Sequence, residues 1–370
     1  MPGRNAHEWR DFAGTAAFAL LAGAVLLLLY LFLVTGGTHP RLYDFHTFWL
    51  AGRDYLHGRD PYPAAIRGNI ARGDWFVYPA PVAALFAPLG ALPYSVAAAL
   101  MTVFLVVAAG AAFWLVGVRD WRCYTLAFAS VALLKGLNLG TVTPLLMLAV
   151  AGAWRLRRTR DWRLPVVLAA AVLLKLFLWP FVIWFFATGR RRQSLRSVLI
   201  VVGAGVLAWL PIGGSLLHYP RLLHQLASHE AWSGYGVAGL AAAAGLAHPE
   251  TALVATAAAP IAGVIAWLAG RHLPERPAFA TTLVVAVVAS PVVWAHYLAL
   301  GSLAIAVCSP ALSVAWLAPL VLWLIPGQQA WGSSWRVLIA LAFLAIPLAF
   351  VRRSRSDPTG RARHRPAALA

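Results

Sequence analysis

Apolar runs long enough to cross a bilayer recur along this chain, and short polar stretches separate them. A spanning helix needs about 20 consecutive apolar residues, a length met or approached at 13–34, 95–116, 197–217 and 251–269. Shorter runs at 123–134 and 141–154 predict a hairpin of two short helices. Lys175 and Pro180 break the stretch 164–188, Ser290-Pro291 breaks 279–307, and 311–327 is likewise interrupted. A last run, 337–351, ends at arginines. The pattern predicts an all-α polytopic membrane protein with about twelve transmembrane or re-entrant helices. Residues 1–353 read as a single membrane domain, and 354–370 as a disordered basic cytoplasmic tail.

Two longer intervals, 38–94 and 218–249, interrupt the apolar pattern and read as extracytoplasmic loops. Within the first, Phe45, Phe48, Trp49, Gly52, Tyr55 and Leu56 recur at helical spacing. They predict a short amphipathic helix lying at the membrane surface with its aromatics at headgroup depth. Gly58 supplies the stop, and Asp44 sits where an N-cap is expected. The first apolar run exceeds the roughly 7–15 residues of a signal-peptide core and lacks a small-residue cleavage site, so it reads as a retained anchor.

Composition strengthens the membrane reading, because 61% of residues are hydrophobic and 11% charged, against about 25% charged in soluble domains. The net charge of +18 raises the question of nucleic acid. The arginines, however, gather between apolar runs: Arg155, Arg157, Arg158, Arg160 and Arg163; Arg190, Arg191, Arg192 and Arg196; Arg352, Arg353 and Arg355. That is the signature of cytoplasmic loops rather than of a nucleic-acid surface. With Arg4 and Arg10 also inside, the first helix exits near Gly36. Arginines on both sides of 164–188 then require an even number of crossings, met by two short helices that turn back deep in the membrane. Irregular backbone at that depth must be buried in protein or line a cavity.

The candidate chemistry is sparse. Asp44 reads as a helix cap, as a general base at the membrane–water boundary, or as both. His46 stands two residues further on. His296, with Trp294 and Tyr297 beside it, reads as an interfacial anchor or as a group that bonds substrate. Lys135 and Lys175 lie inside otherwise apolar runs, where a charge faces a partner or a watery cavity unless it snorkels. A cation so placed can hold the phosphate of a departing group. No outer-facing Asp-x-Asp or Glu-x-Asp pair calls for a divalent metal, and Asp54 and Asp60 read as solvated charges. No Gly-rich phosphate loop calls for a nucleotide, and no cofactor is expected. Cys123 and Cys308 read as packing residues. No internal repeat is visible, which weighs against a transporter built from inverted halves.

Several motifs occur in an order that resembles glycosyltransferase family 87. They are Tyr43-Asp44-Phe45, the run from Ala51-Gly52 through Tyr55-Leu56 and Gly58 to Pro61-Tyr62, Tyr78-Pro79-Ala80-Pro81, and Ala87-Pro88-Leu89. The segment 169–179 with Leu174-Lys175-Leu176, and Ser290-Pro291-Val292-Val293-Trp294-Ala295-His296, complete the set. The resemblance implies a GT-C-type membrane fold and a polyprenyl-phosphate sugar donor, with no nucleic acid involved. Similar proteins include α-mannosyltransferases that build phosphatidylinositol mannosides and lipomannan in actinobacteria. It also implies that Asp44 and His296 are catalytic, and Lys175, Lys135, His46, Asn138 and Trp294 are the residues expected to contact substrate. The turn Gly136-Leu137-Asn138-Leu139-Gly140-Thr141 departs from the family pattern by lacking its glutamine. The function expected on this basis is inverting transfer of a sugar, mannose first and arabinofuranose second, to an extracytoplasmic glycolipid or lipoglycan at the inner membrane. A non-enzymatic transporter or flippase of lipid-linked sugars stands as the alternative.

Overall fold

The computed structural model describes residues 6–34, 42–62, 76–212 and 215–356. Arg4, Gly36, the stretch 63–75 of the first loop with Asp74, and the tail from 357 lie outside the described residues. The regular elements of the described residues are all helices, with no strand. The chain opens with α1 (Ala6–Val34), α2 (Tyr43–Leu56), α3 (Ala80–Gly90) and α4 (Tyr94–Val116). Next come α5 (Trp121–Phe128), α6 (Val131–Leu139), α7 (Thr143–Leu156), α8 (Arg163–Leu174), α9 (Pro180–Ala187) and α10 (Arg191–Trp209). The rest comprises α11 (Tyr219–Glu230), α12 (Val237–Ala243), α13 (His248–His272), α14 (Glu275–Val288), α15 (Ala299–Cys308) and α16 (Ser334–Ser356). Short 3₁₀ segments join them, the longest being Val314–Leu324.

Among the described residues, α4 and Pro249–His272 of α13 are long and apolar enough to cross a membrane unaided. The pair α6–α7 makes a third span if it is counted as one, although it bends by 115° at Gly140. Leu100, Val103 and Phe104 of α4 lie exposed, as do Leu199, Val202 and Leu207 of α10 and Leu253, Ile261 and Val264 of α13. In water such apolar faces would be a liability; against lipid tails they are the expected covering. The chain is a membrane protein.

The broken stretch 164–188 forms two short helices whose flanks lie together. α8 leaves an edge rich in arginine, the helix stops at Lys175 (φ −154°, ψ 113°), and α9 runs back. Both ends of this excursion meet at one carboxylate: Glu275 pairs with Arg157 at 3.0 Å, Arg158 at 3.3 Å and Arg190 at 3.1 Å. Beneath that edge, Trp154, Phe181 and Trp184 pack around Phe279 of α14. Trp209, at the far end of α10, instead stacks on Tyr62 of the first loop at 5.1 Å. α10 therefore connects the arginine edge to the end of the molecule that carries both long loops. The Tyr219 hydroxyl donates to the Val77 carbonyl at 3.2 Å and ties those loops together.

Candidate active site

The helix expected in the first loop forms as α2, and Gly58 (φ +64°) ends it. Its placement departs from a helix resting on a membrane surface. Phe45, Phe48, Ala51 and Gly52 are buried, and the Phe48 ring stacks on Phe86 of α3 at 4.8 Å. Leu56 points outward instead. α2 and α3 touch backbone to backbone: a Cβ on Gly52 would lie 2.4 Å from the Phe86 carbonyl oxygen, and one on Gly90 2.4 Å from the Arg53 nitrogen. The glycine of the Ala51-Gly52 motif is therefore a packing notch.

The N-terminal end of α2 is pinned as closely. Leu42, in left-handed backbone (φ 53°), donates its N–H to the Asn138 carbonyl at 3.0 Å. Gly140 (φ +70°) fits against α2, since a Cβ there would meet the Phe45 Cβ at 2.6 Å. The turn that departs from the family pattern thus anchors the helix that carries Asp44.

The capping expectation fails. α2 begins at Tyr43, its cap residue is Leu42, and no side chain caps it. Asp44 sits inside the first turn, where the helix dipole favours a negative charge. Among the described residues its half-buried carboxylate makes no hydrogen bond and no ion pair within 4 Å. α2 is too short and polar to be a span. Burial raises the Asp44 carboxyl to about 7, while the ammonium of Lys175 draws it back toward ionisation.

Lys175, at the break between α8 and α9, acts on this carboxylate through its charge with no ion pair within 4 Å. Its Nζ lies 4.0 Å from the centre of the Tyr78 ring, 5.0 Å from Tyr297 and 5.6 Å from Trp294. Three aromatic faces around one ammonium stabilise a cation that lacks a close carboxylate. Tyr78 is held by its own backbone, whose carbonyl accepts the Tyr62 hydroxyl at 2.7 Å. Tyr78, Trp294 and Tyr297 therefore converge on one cation, and Tyr62 holds Tyr78 in place. Nothing in their sequence spacing shows this.

His296 is fully buried in the 3₁₀ segment Ala295–Leu298. Its Nδ1 lies 2.7 Å from Gln328 Nε2, and its Nε2 has no partner. With the amide donating, Nδ1 accepts and Nε2 carries the proton, a donor free for a ligand. Ala295 N–H also donates to the Gln328 carbonyl at 3.0 Å, so one residue fixes both backbone and ring. Gln328 escaped sequence reading because it lies in a polar turn with no motif around it. A Cβ on Gly136 of α6 would lie 3.6 Å from the His296 Cβ, and the charges of Lys175 and Lys135 both reach the ring.

The remaining candidates lie at the margin. His46 is exposed, with its ring against Tyr94 at 5.3 Å and Trp49 at 6.1 Å. Lys135 is half-buried on α6, and Asn138 meets α2 through its carbonyl. Asp54 pairs with Arg59 at 2.8 Å, and Asp60 accepts from the Tyr62 N–H at 2.9 Å. Among the described residues no three His, Cys, Asp or Glu side chains gather as metal ligands. Cys123 is buried, Cys308 is half-buried, and both are free thiols.

Comparison with curated proteins and with solved structures returns no match. The sequence profile of glycosyltransferase family 87 matches residues 76–295, which takes in α3 to α14, Lys175 and Trp294. That match covers more than half of the chain, stops one residue short of His296 and leaves α2 outside. The chain belongs to glycosyltransferase family 87.

Proposed function

We propose that the protein transfers a sugar, mannose, from a polyprenyl-phosphate carrier to a glycolipid or lipoglycan on the extracytoplasmic face of the inner membrane, with inversion at the anomeric carbon. The observation that carries this reading is the unpaired Asp44 carboxylate facing the caged ammonium of Lys175. A direct displacement needs this pair of charges. The acceptor hydroxyl oxygen forms its bond to the anomeric carbon as the bond to the phosphate oxygen breaks. Asp44 takes the hydroxyl proton, and the electron pair leaves with the polyprenyl phosphate. Lys175 offsets the negative charge that grows there. The unpartnered Nε2 of His296 is free to donate to a phosphate or sugar oxygen, and Trp294 and Lys135 extend the same wall. His46 and Asn138 are assigned to the acceptor side, beside the start of α2.

The orientation follows from the arginine edge. Positive loops stay in the cytoplasm, and the twelve residues of α8 separate Arg163 from the break at Lys175, a rise of about 18 Å. That rise supports a site toward the opposite face. About twelve spanning or re-entrant segments in one membrane domain accommodate the sixteen helices of the described residues. Loops 38–94 and 218–249 lie outside, and the basic tail lies inside.

The test is transfer from synthetic polyprenyl-phosphate mannose by purified protein, wild type against Asp44→Asn. Loss of transfer with a melting temperature no lower than that of wild type supports the assignment. Undiminished transfer by the variant removes Asp44 from the chemistry. If neither protein transfers mannose, the mannose assignment fails, and an arabinofuranose donor is tried next.

A further inference from the structure

The arginine edge holds a cavity that the proposed reaction does not use. It has a volume of about 600 Å³, and Arg158, Arg160, Arg190, Arg191 and Arg192 line it together with Gln193. Such a volume falls within the roughly 300–1,000 Å³ of ligand sites. Retention of positive loops explains arginines along this edge, but not five of them around one space.

Charge balance within the cavity is incomplete. No carboxylate of the described residues lines it, and Glu275 behind the wall pairs with Arg158 and Arg190 as well as with Arg157. Among the described residues Arg160, Arg191 and Arg192 have no ion pair. The wall is also built in advance of any ligand. Arg190 is fixed by Glu275 on one side and donates from Nη1 to Thr188 Oγ1 at 2.8 Å on the other. α10 begins at Arg191 with no side-chain cap, so its first-turn N–H groups add to the positive field. Leu195 and Leu199 continue exposed along α10 from the cavity rim, and Val166 does so along α8. A polar ligand alone would leave those faces bare; an amphiphile covers both.

We propose that this cavity binds the phosphate headgroup of an anionic membrane lipid, with the acyl chains lying along α8 and α10. The proposal rests on the threading that places this edge at the cytoplasmic membrane surface and is independent of the sugar transferred. Basic pockets between helices on that side are suited to acidic headgroups, and arginine forks match phosphate oxygens two at a time. Occupancy ties the ends of α8, α9 and α10 together at the base of the hairpin that carries Lys175.

The test uses the full-length protein in neutral detergent, titrated with phosphatidylglycerol, with phosphatidylcholine, or with inorganic phosphate, and followed by thermal shift. Wild type is expected to rise by several degrees with phosphatidylglycerol alone, and the rise should shrink as salt is added. Arg191 and Arg192 are exposed, so the double substitution R191Q/R192Q leaves the core intact and is expected to need several-fold more lipid. R155Q/R276Q removes the same charge from the same edge outside the cavity and is expected to respond as wild type. An equal loss in both double variants overturns the site in favour of bulk charge. An equal rise with phosphatidylcholine, or a full rise with inorganic phosphate and none further with lipid, overturns the lipid.

Discussion

Replacing Gly52 with alanine adds one methyl group where α2 crosses α3. The new Cβ would lie 2.4 Å from the Phe86 oxygen, 2.6 Å from its carbonyl carbon and 2.9 Å from the Ala87 nitrogen. Each is well inside the ~3.5 Å at which heavy atoms attract. All three are backbone atoms of a helix, so no side chain can rotate away. Overpacking of this kind costs about 1–3 kcal/mol, and alanine recovers about 1 kcal/mol of helix propensity. The net is a loss on the order of 1 kcal/mol, or a displacement of α2 by about 1 Å. Gly110 on α4 is the control, because a Cβ there meets nothing within 4 Å; only the propensity gain remains. Melting followed by tryptophan fluorescence in micelles should therefore fall for Gly52→Ala and rise for Gly110→Ala. Transfer should fall more steeply than stability in Gly52→Ala, since a 1 Å misplacement near the chemistry costs about 100-fold. A Gly52→Ala protein that melts at or above wild type and keeps its transfer rate would refute the packing argument.

Burial raises Asp44 to about 7, so its basic form gains population through neutral pH. Transfer should climb between about pH 6 and 8, and a profile flat across that window contradicts the assignment. The same shift stabilises the fold while the group is neutral, fully below its ordinary value of 3.8 and no longer once pH has passed about 7. Asp44→Asn should therefore melt above wild type at pH 8 and match it at pH 4, which a thermal scan at both values checks. At Glu275 burial works upward, but the pairing with Arg157 and the charges of Arg158 and Arg190 outweigh it and hold the carboxyl below its usual 4.5. Its contribution is present above that value and lost as pH falls. Glu275→Gln should cost about 1–3 kcal/mol at pH 7 and little at pH 3, measured by the same scan.

The sequence made legible what depends on composition and spacing. Arginines on both sides of 164–188 predicted that its two ends lie together, and Arg157, Arg158 and Arg190 do meet at Glu275. The interruptions at Lys175 and Ser290-Pro291 fall between helices in the fold as well. What escaped depends on the third dimension. A period-of-four aromatic pattern in α2 looks the same whether the helix rests on lipid or packs on protein. The difference lies in Gly52 and Gly90, whose partners are distant in sequence. Asp44 lies two residues too deep to cap the helix, because Leu42 takes left-handed backbone to reach Asn138, and no propensity predicts that of a leucine. Tyr78 and Tyr297 stood within or beside recognised motifs, yet their common partner at Lys175 is a tertiary fact. Gln328 gave no signal at all.

These departures share a physical reason. In the proposed threading, α8 climbs about 18 Å from the arginine edge into a hydrocarbon core about 30 Å thick, which leaves Lys175 in its outer half rather than at the surface. A carboxylate on a helix lying flat at the headgroups would stand too far away to form one site with that ammonium. Asp44 must be brought down, and a polar helix descends only where protein covers it. Gly52 and Gly90 let α2 sink against α3, while Gly140 opens a notch for Phe45 at its leading end. The aromatic faces of Tyr78, Trp294 and Tyr297 then do for Lys175 what water would do outside, and leave its charge directed at the space that Asp44 faces. On this argument the three glycines serve the chemistry by setting depth. Enlarging any one of them should weaken transfer in proportion to how far it lifts α2, with the charged residues untouched.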